Sequence, residues 1–178
     1  AVVDADASFF SADFRAVERS AQLLLQVAGR SGRGKKRGRV LIQTKLSEHP
    51  IFESVIKSDY KTLSENELED RTACELPPFS KMITIRADAK KQTDSLQTLH
   101  TINGELFKLI PKNSNIEISG PVEATMARKS DIYRSYLHIF TTNLALRASI
   151  LKQLPLLLSA KHKGNTKVTI DVDPIDYI

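Results

Sequence analysis

Cysteine is nearly absent from this chain: Cys74 is the only one in 178 residues. A single thiol cannot build an intrachain disulfide framework, and one thiol with four scattered histidines is a poor ligand set for tetrahedral zinc. No metal site is therefore expected, and Cys74 reads as an inert thiol in a reducing compartment. Also missing is any apolar run near the roughly 20 residues needed to cross a bilayer. Neither a signal-peptide pattern nor an initiator methionine opens the sequence. These absences predict a soluble cytoplasmic protein with no membrane partner. The composition, 41% hydrophobic and 26% charged, is that of a globular chain of one or two domains.

The opening "AVVDADASFF" alternates like a strand already under way. A buried strand needs neighbours that the following segment cannot supply, so the chain is expected to be the C-terminal part of a longer protein. Charge is uneven. Residues 1–47 carry nine Lys or Arg against four Asp or Glu, whereas residues 48–178 carry seventeen of each. Six of those cations lie between Arg30 and Arg39. Such a block favours a polyanion or a nucleotide phosphate as partner, although a solvated basic loop would look the same.

Within that block, "GRSGRGKK", Gly29 to Lys36, approaches the phosphate-binding pattern G-x-x-x-x-G-K-[ST]. Lys36 stands where the magnesium-binding hydroxyl belongs. The context is wrong as well. "DFRAVERSAQLLLQVAGR" has helical spacing at Phe14, Val17, Ala21, Leu24, Leu25 and Ala28, with Ser11 or Asp13 as N-cap, and "RVLIQTKL" reads as a strand. The glycines thus follow a helix and precede a strand, the reverse of a P-loop, which feeds a helix N-terminus. Residues 1–47 are expected to form a strand-helix-strand edge of an α/β sheet with a right-handed crossover.

Residues 48–78 read as a helical connector, "HPIFESVIKSD" and "YKTLSENELEDRTACEL", stopped by Pro77 and Pro78. Ser64 followed by Glu67 suggests a capping box for its second helix. From residue 79 to 178, strands alternate with amphipathic helices. "FSKMITIRADA" alternates around Ile83, Ile85 and Ala87, and the next helix has Leu96, Leu99, Ile102, Leu106 and Leu109 on one stripe. "NIEISGPV", "YRSYLHIFTT", a helix containing Pro155, and "TKVTIDVDP" follow. Pro155 is expected to kink or shorten its helix. The order β-α-β-β-α-β is ferredoxin-like, an α+β fold with both helices on one face of an antiparallel sheet.

Gln22, Gln26, Arg30 and Arg33 fall on one helical line, with glycines at 29 and 32 that permit close backbone approach. Two amides and two guanidiniums suit a phosphate; they would equally solubilise a helix end, where arginines gain from the dipole. In the second half, "ARKSDIYRSY" places Arg128, Lys129 and Arg134 beside Tyr133 and Tyr136 in an expected loop. Cations pair with phosphates and rings stack on bases, so Arg128, Lys129, Tyr133 and Arg134 are DNA-contact candidates, with a basic hairpin turn as the plain alternative. Asp171, Asp173 and Asp176 alternate at a strand end, a pattern that fits solvated or paired carboxylates better than a metal site.

"QLLLQVAGRSGR" resembles motif VI, Q-x-x-G-R-x-G-R, of superfamily 2 helicases. With "DADASFF", "GRVLIQT", "HPIF", "LPPFS", "GPVEA" and "DVDPID", essentially the whole chain resembles the primosomal replication-restart DNA helicases, the PriA (primosomal protein N′) family. The resemblance implies that residues 1–47 close the second RecA-like helicase lobe and that residues 79–178 are the family's terminal domain. It implies that Arg30 and Arg33 face ATP, one as an arginine finger, with Gln26 and Gly29 at the ATP cleft. It also implies a parent that is an ATP-dependent 3′-5′ DNA helicase using ATP and magnesium, with zinc held elsewhere in that parent. Walker A, Walker B and the zinc-binding cysteines have no counterpart here, so the chain alone is expected to bind none of these and to be inactive. Asp4 and Asp6 follow motif V in the resemblance and read as structural or interlobe hydrogen-bonding residues rather than a magnesium site. The implied partners are branched or fork DNA, single-strand DNA-binding protein and other primosome proteins, in a bacterial, nucleoid-associated setting. Arg147 is the basic candidate for the single-strand-binding-protein contact.

The same β-α-β-β-α-β order belongs to the RNA-recognition motif, the alternative reading, but "YRSYLHIF" lacks the aromatic RNP1 pattern. "GRSG" as the GXXG loop of a KH domain fails because a strand, not a helix, follows it.

Overall fold

The computed structural model describes residues 1–11, 13–31, 39–129, 131–161 and 166–175. The chain divides into two compact units, Ala1–Cys74 and Glu75–Ile178.

The first unit is helical. Helix α1 spans Ala16–Ser31, α2 Pro50–Lys57 and α3 Tyr60–Ala73. Asp13 fixes the entry to α1: its carboxylate accepts the Arg15 N–H at 2.9 Å and its carbonyl accepts the Ala16 N–H. Ala21 and Leu24 of α1 bury against Ile51, Phe52 and Val55 of α2 and Leu63 of α3. At about 1.5–3 kcal/mol per large apolar side chain, this core accounts for the cohesion of three short helices. His49 caps α2 through Nδ1, 3.3 Å from the Ile51 nitrogen, while its ring packs 4.3 Å from that of Phe9. The cap of α3 is Asp59, which accepts from the Thr62 N–H at 3.0 Å and the Thr62 hydroxyl at 2.7 Å. This corrects the expected capping box. Ser64 lies a full turn inside α3 and donates to the Lys61 carbonyl, because the carboxylate at 59 claims the free N–H groups first.

The expected strands flanking α1 shrink to one parallel bridge, Val2 to Ile42. Its rungs are Val2 N to Leu41 O at 2.8 Å and Gln43 N to Val2 O at 2.9 Å. The parallel sense fits a crossover through α1, but residues Ala5–Phe10 turn into a 3-10 helix. Asp6 explains the early departure. It is buried, and its carboxylate accepts from the Thr44 hydroxyl and from the Lys45 N–H at 2.7 Å, which exchanges ladder bonds for side-chain ones.

The second unit holds β1 (Lys81–Ala89), α4 (Gln92–Leu109), β2 (Ile116–Lys129), β3 (Ile132–Thr141), α5 (Leu144–Lys161) and β4 (Lys167–Val172). The sheet is antiparallel throughout, in the order β2-β3-β1-β4. The chain order is the β-α-β-β-α-β expected. One sheet face, with Ile83, Ile85, Ala87, Leu137 and Ile139, buries against Leu99, Ile102 and Leu106 of α4 and Ile150 and Leu154 of α5. Two stripe positions differ from expectation: Leu96 is half-buried and Leu109 is 40% exposed. Ser95 takes the inward place and meets Ser135, hydroxyl to hydroxyl at 2.8 Å. Helix α5 runs through Pro155 to Lys161 without being shortened.

Strand β2 is broken by register shifts between Ser119 and Val122 and between Glu123 and Arg128. At the first, Gly120 has φ +103°, and a Cβ there would lie 2.8 Å from the Tyr136 carbonyl oxygen. "GPVEA" is thus a backbone device: only glycine permits β2 to approach β3 this closely.

Candidate nucleotide-facing helix end and nucleic-acid interface

The last turn of α1 exposes Gln26, Gly29 and Arg30. The Ser31 hydroxyl turns back to the Ala28 carbonyl at 2.8 Å, and the space beside Gly29 is open for at least 4 Å. Arg30 therefore stands exposed in the last turn of the helix. Arg33, with Gly32 and the rest of the basic run to Gly38, lies outside the described residues. Gln22, one turn before Gln26 on α1, is engaged elsewhere. Its amide donates to Glu18 at 3.0 Å and to the Tyr60 hydroxyl at 3.2 Å, within a polar cluster in which Glu18 also holds Arg71 at 2.7 Å. Asp6 has the structural role read for it, and its bonds from Thr44 and Lys45 hold the carboxyl below the usual range.

The DNA-contact candidates 128–134 lie on strands rather than in a loop. Arg128 pairs with Tyr133 and Lys129 with Ile132, so β2 and β3 form a hairpin. Asp131 has φ 61°, the left-handed conformation such a turn demands. Strand alternation then separates the candidates. Tyr133, paired with Ala89, belongs to the helix-covered face, whereas Arg134 and Tyr136 belong to the opposite one.

On that opposite face, residues that the sequence reading passed over gather around Arg134. Asp88 pairs with Arg134 on one side and Lys167 on the other, and Arg86 lies directly across from Tyr136. Oδ1 of Asp88 is 3.2 Å from Nε of Arg86 and 3.7 Å from Nε of Arg134. Tyr136 stacks on His138 with ring centres 5.9 Å apart and planes 10° from parallel. The available signal was the alternation itself: "IRADA" places Arg86 and Asp88 opposite the apolar stripe. His138 is 1% exposed and hydrogen-bonded to Thr84 at 3.0 Å; burial pushes its pKa down to about 4, so it is neutral near pH 7.

Arg147 reaches from the first turn of α5 to Asp173, Nη1 to Oδ2 at 2.6 Å. Asp173 also accepts the Met82 N–H at 3.0 Å. Desolvation pushes the Asp173 carboxyl up, but the Met82 and Arg147 bonds outweigh it and leave the group below its ordinary value. Asp171 pairs in register with Thr84, and Asp176 is outside the described residues. Among the described residues no three His, Cys, Asp or Glu side chains are grouped to hold a metal, and no helix is long and apolar enough to cross a membrane.

A family profile described as the primosomal protein N C-terminal domain matches residues 72–175. The replication restart protein PriA of Haemophilus influenzae is 33% identical over 178 residues, covering 99% of this chain and 24% of that protein. Its counterpart in Rickettsia conorii is 33% identical over 177 residues, covering 99% and 26%. That of Synechocystis is 34% identical over 176 residues, covering 98% and 20%. The chain thus spans about a quarter of the length of these relatives. Among solved structures, the de novo designed protein Foldit4 aligns at a TM-score of 0.39 and 9% identity, over 55% of this chain and 99% of that one.

Proposed function

Because the chain belongs to the PriA family through its primosomal protein N C-terminal domain, we propose that it is the part of a replication-restart DNA helicase that senses ATP and contacts the fork. In this reading the first unit closes a second RecA-like lobe of an ATP-dependent 3′-5′ helicase. The supporting observation is the exposed end of α1, where Gln26, Gly29 and Arg30 lie within one turn of each other and are all exposed. A planar guanidinium presented at a helix end can approach a phosphoryl group bound on another lobe. There it would stabilise the charge that grows on the equatorial oxygens during transfer. Gln26, one turn earlier, would hydrogen-bond across the same cleft. This donor set fits a terminal phosphate and supplies no metal ligand, so magnesium, and the zinc of the longer helicase, would be held by other residues.

The second unit would bind branched DNA, with Arg128, Lys129, Tyr133 and Arg134 as contacts, and would dock single-strand DNA-binding protein and primosome partners near Arg147. Two measurements test the reading. Arg30→Ala or Arg33→Ala in a full-length protein carrying this chain should lower ATP turnover by at least about a hundredfold, as for lost arginine fingers, with DNA binding retained. Unchanged turnover in both variants removes the assignment. The 178-residue chain should also prefer fork DNA to single-stranded RNA; the opposite preference favours an RNA-recognition module.

A further inference from the structure

The sheet face opposite α4 and α5 carries, toward one end, a cluster that none of the roles above uses in full. Where β4, β1 and β3 run side by side, Lys167, Asp88 and Arg134 form one row, and Arg86 and Tyr136 sit in the next. Three cations surround a single carboxylate, a steeper local excess than the fourteen Lys or Arg against ten Asp or Glu of the second unit as a whole. The Nε groups of Arg86 and Arg134 and Oδ1 of Asp88 are buried and make no hydrogen bond. Asp88, with its side chain 11% exposed, anchors the two guanidiniums at the Nε side by charge; the two arginine side chains remain 35% and 31% exposed. Tyr136 is half-buried beside them, its ring stacked on that of His138, two residues along β3.

We propose that this face binds single-stranded DNA, with Tyr136 and the two guanidinium planes stacking bases and Arg86, Arg134 and Lys167 holding phosphates. The inference rests on the DNA-binding reading above and moves the contact from the hairpin tip to the sheet. Charge complementarity selects a polyanion, and planar groups at the surface select one whose bases are free to stack. Duplex DNA offers phosphates but keeps its bases stacked inside. Adjacent strands lie about 4.8 Å apart and alternate residues about 6.8 Å apart, so the cluster spans roughly 10 by 7 Å, room for about two nucleotides. Asp88 is a positioning residue here, acting through the arginines.

The chain has no tryptophan and four tyrosines, so tyrosine emission reports on ring stacking directly. Titrating the 178-residue chain with oligothymidine should quench that emission, and Tyr136→Leu should remove most of the quench and weaken binding about tenfold without altering the salt dependence. Arg86→Gln and Arg134→Gln should each weaken binding about tenfold and make the slope of log affinity against log salt shallower by about 0.7, one phosphate contact. Lys167→Gln, at an exposed position that leaves packing intact, should shift the slope in the same direction with a loss of about threefold. The proposal is overturned if folded Lys167→Gln and Arg134→Gln bind within twofold of the parent with an unchanged slope. It is also overturned if the parent chain binds duplex or fork DNA but not oligothymidine, which leaves the broader DNA-binding reading standing. A parent chain that binds no DNA removes both.

Discussion

His138 and Thr84 face each other across β3 and β1, with imidazole Nδ1 3.0 Å from the threonine hydroxyl and the ring almost fully buried. The pair makes the second unit a sensor of acid. Folded His138 titrates near 4, while in the unfolded chain a histidine titrates near 6.5. Between those values the unfolded state binds a proton that the folded state refuses. Stability is therefore complete above about pH 6.5 and declines as pH falls, levelling near pH 4 after a loss of about 3 kcal/mol. Urea midpoints at pH 7.5 and 4.5 measure this, and His138→Gln should flatten the profile.

Gly120 and Gly29 should respond in opposite ways to alanine. At Gly120 the added Cβ meets a carbonyl oxygen and the φ of +103° is strained for any side chain, so a loss of at least about 2 kcal/mol is expected. At Gly29, inside a helix with open space around it, alanine should gain up to about 1 kcal/mol. Thermal denaturation of the two variants decides both.

Asp59→Ala should cost about 1 kcal/mol and fray the start of α3, whereas Ser64→Ala should be neutral or slightly stabilising. Equal costs at the two positions would return the cap to Ser64. Native-state hydrogen exchange at Thr62 and Leu63 locates the fraying.

Arg147→Ala should lower stability by no more than about 1 kcal/mol, because Asp173 is 47% exposed and its pairing is screened. Asp173→Ala should cost more, since it also abandons the Met82 N–H. The depressed Asp173 pKa contributes stability above the ordinary carboxylate value that is lost as pH falls through the lower folded one. Any partner contact at Arg147 must be separated from this pairing: a pulldown defect shared by Arg147→Ala and Asp173→Asn reports the pair, and one confined to Arg147→Ala reports the contact.

Periodicity made the second unit readable. The apolar alternation of β1 and the stripe on α4 are set by one buried face, and both elements fall where that face requires. At "ARKSDIYRSY" the hairpin stood only as the alternative to a loop, because the stretch has no apolar alternation to decide between them; the pairing of β2 with β3 is what makes it a hairpin. The first strands failed for a related reason. "AVVDADASFF" has the right pattern, but Asp6 finds Thr44 and Lys45, thirty-eight and thirty-nine residues away, and no neighbouring segment's pattern announces that capture. At the candidate site, Arg134 was legible as a cation in a basic run, while Arg86, Asp88 and Lys167 became its neighbours only through strand order.

The two outer strands of the sheet are poor templates for a further strand. β4 has six residues, with Lys167 near one end and Asp171 near the other, and β2, though long, loses register twice along its length. A second copy or an extended peptide would find on β2 no uninterrupted row of donors and acceptors to add to, and on β4 a row of only six residues. Backbone pairing at these edges is therefore short, and side chains on the faces and helix surfaces weigh more in what binds.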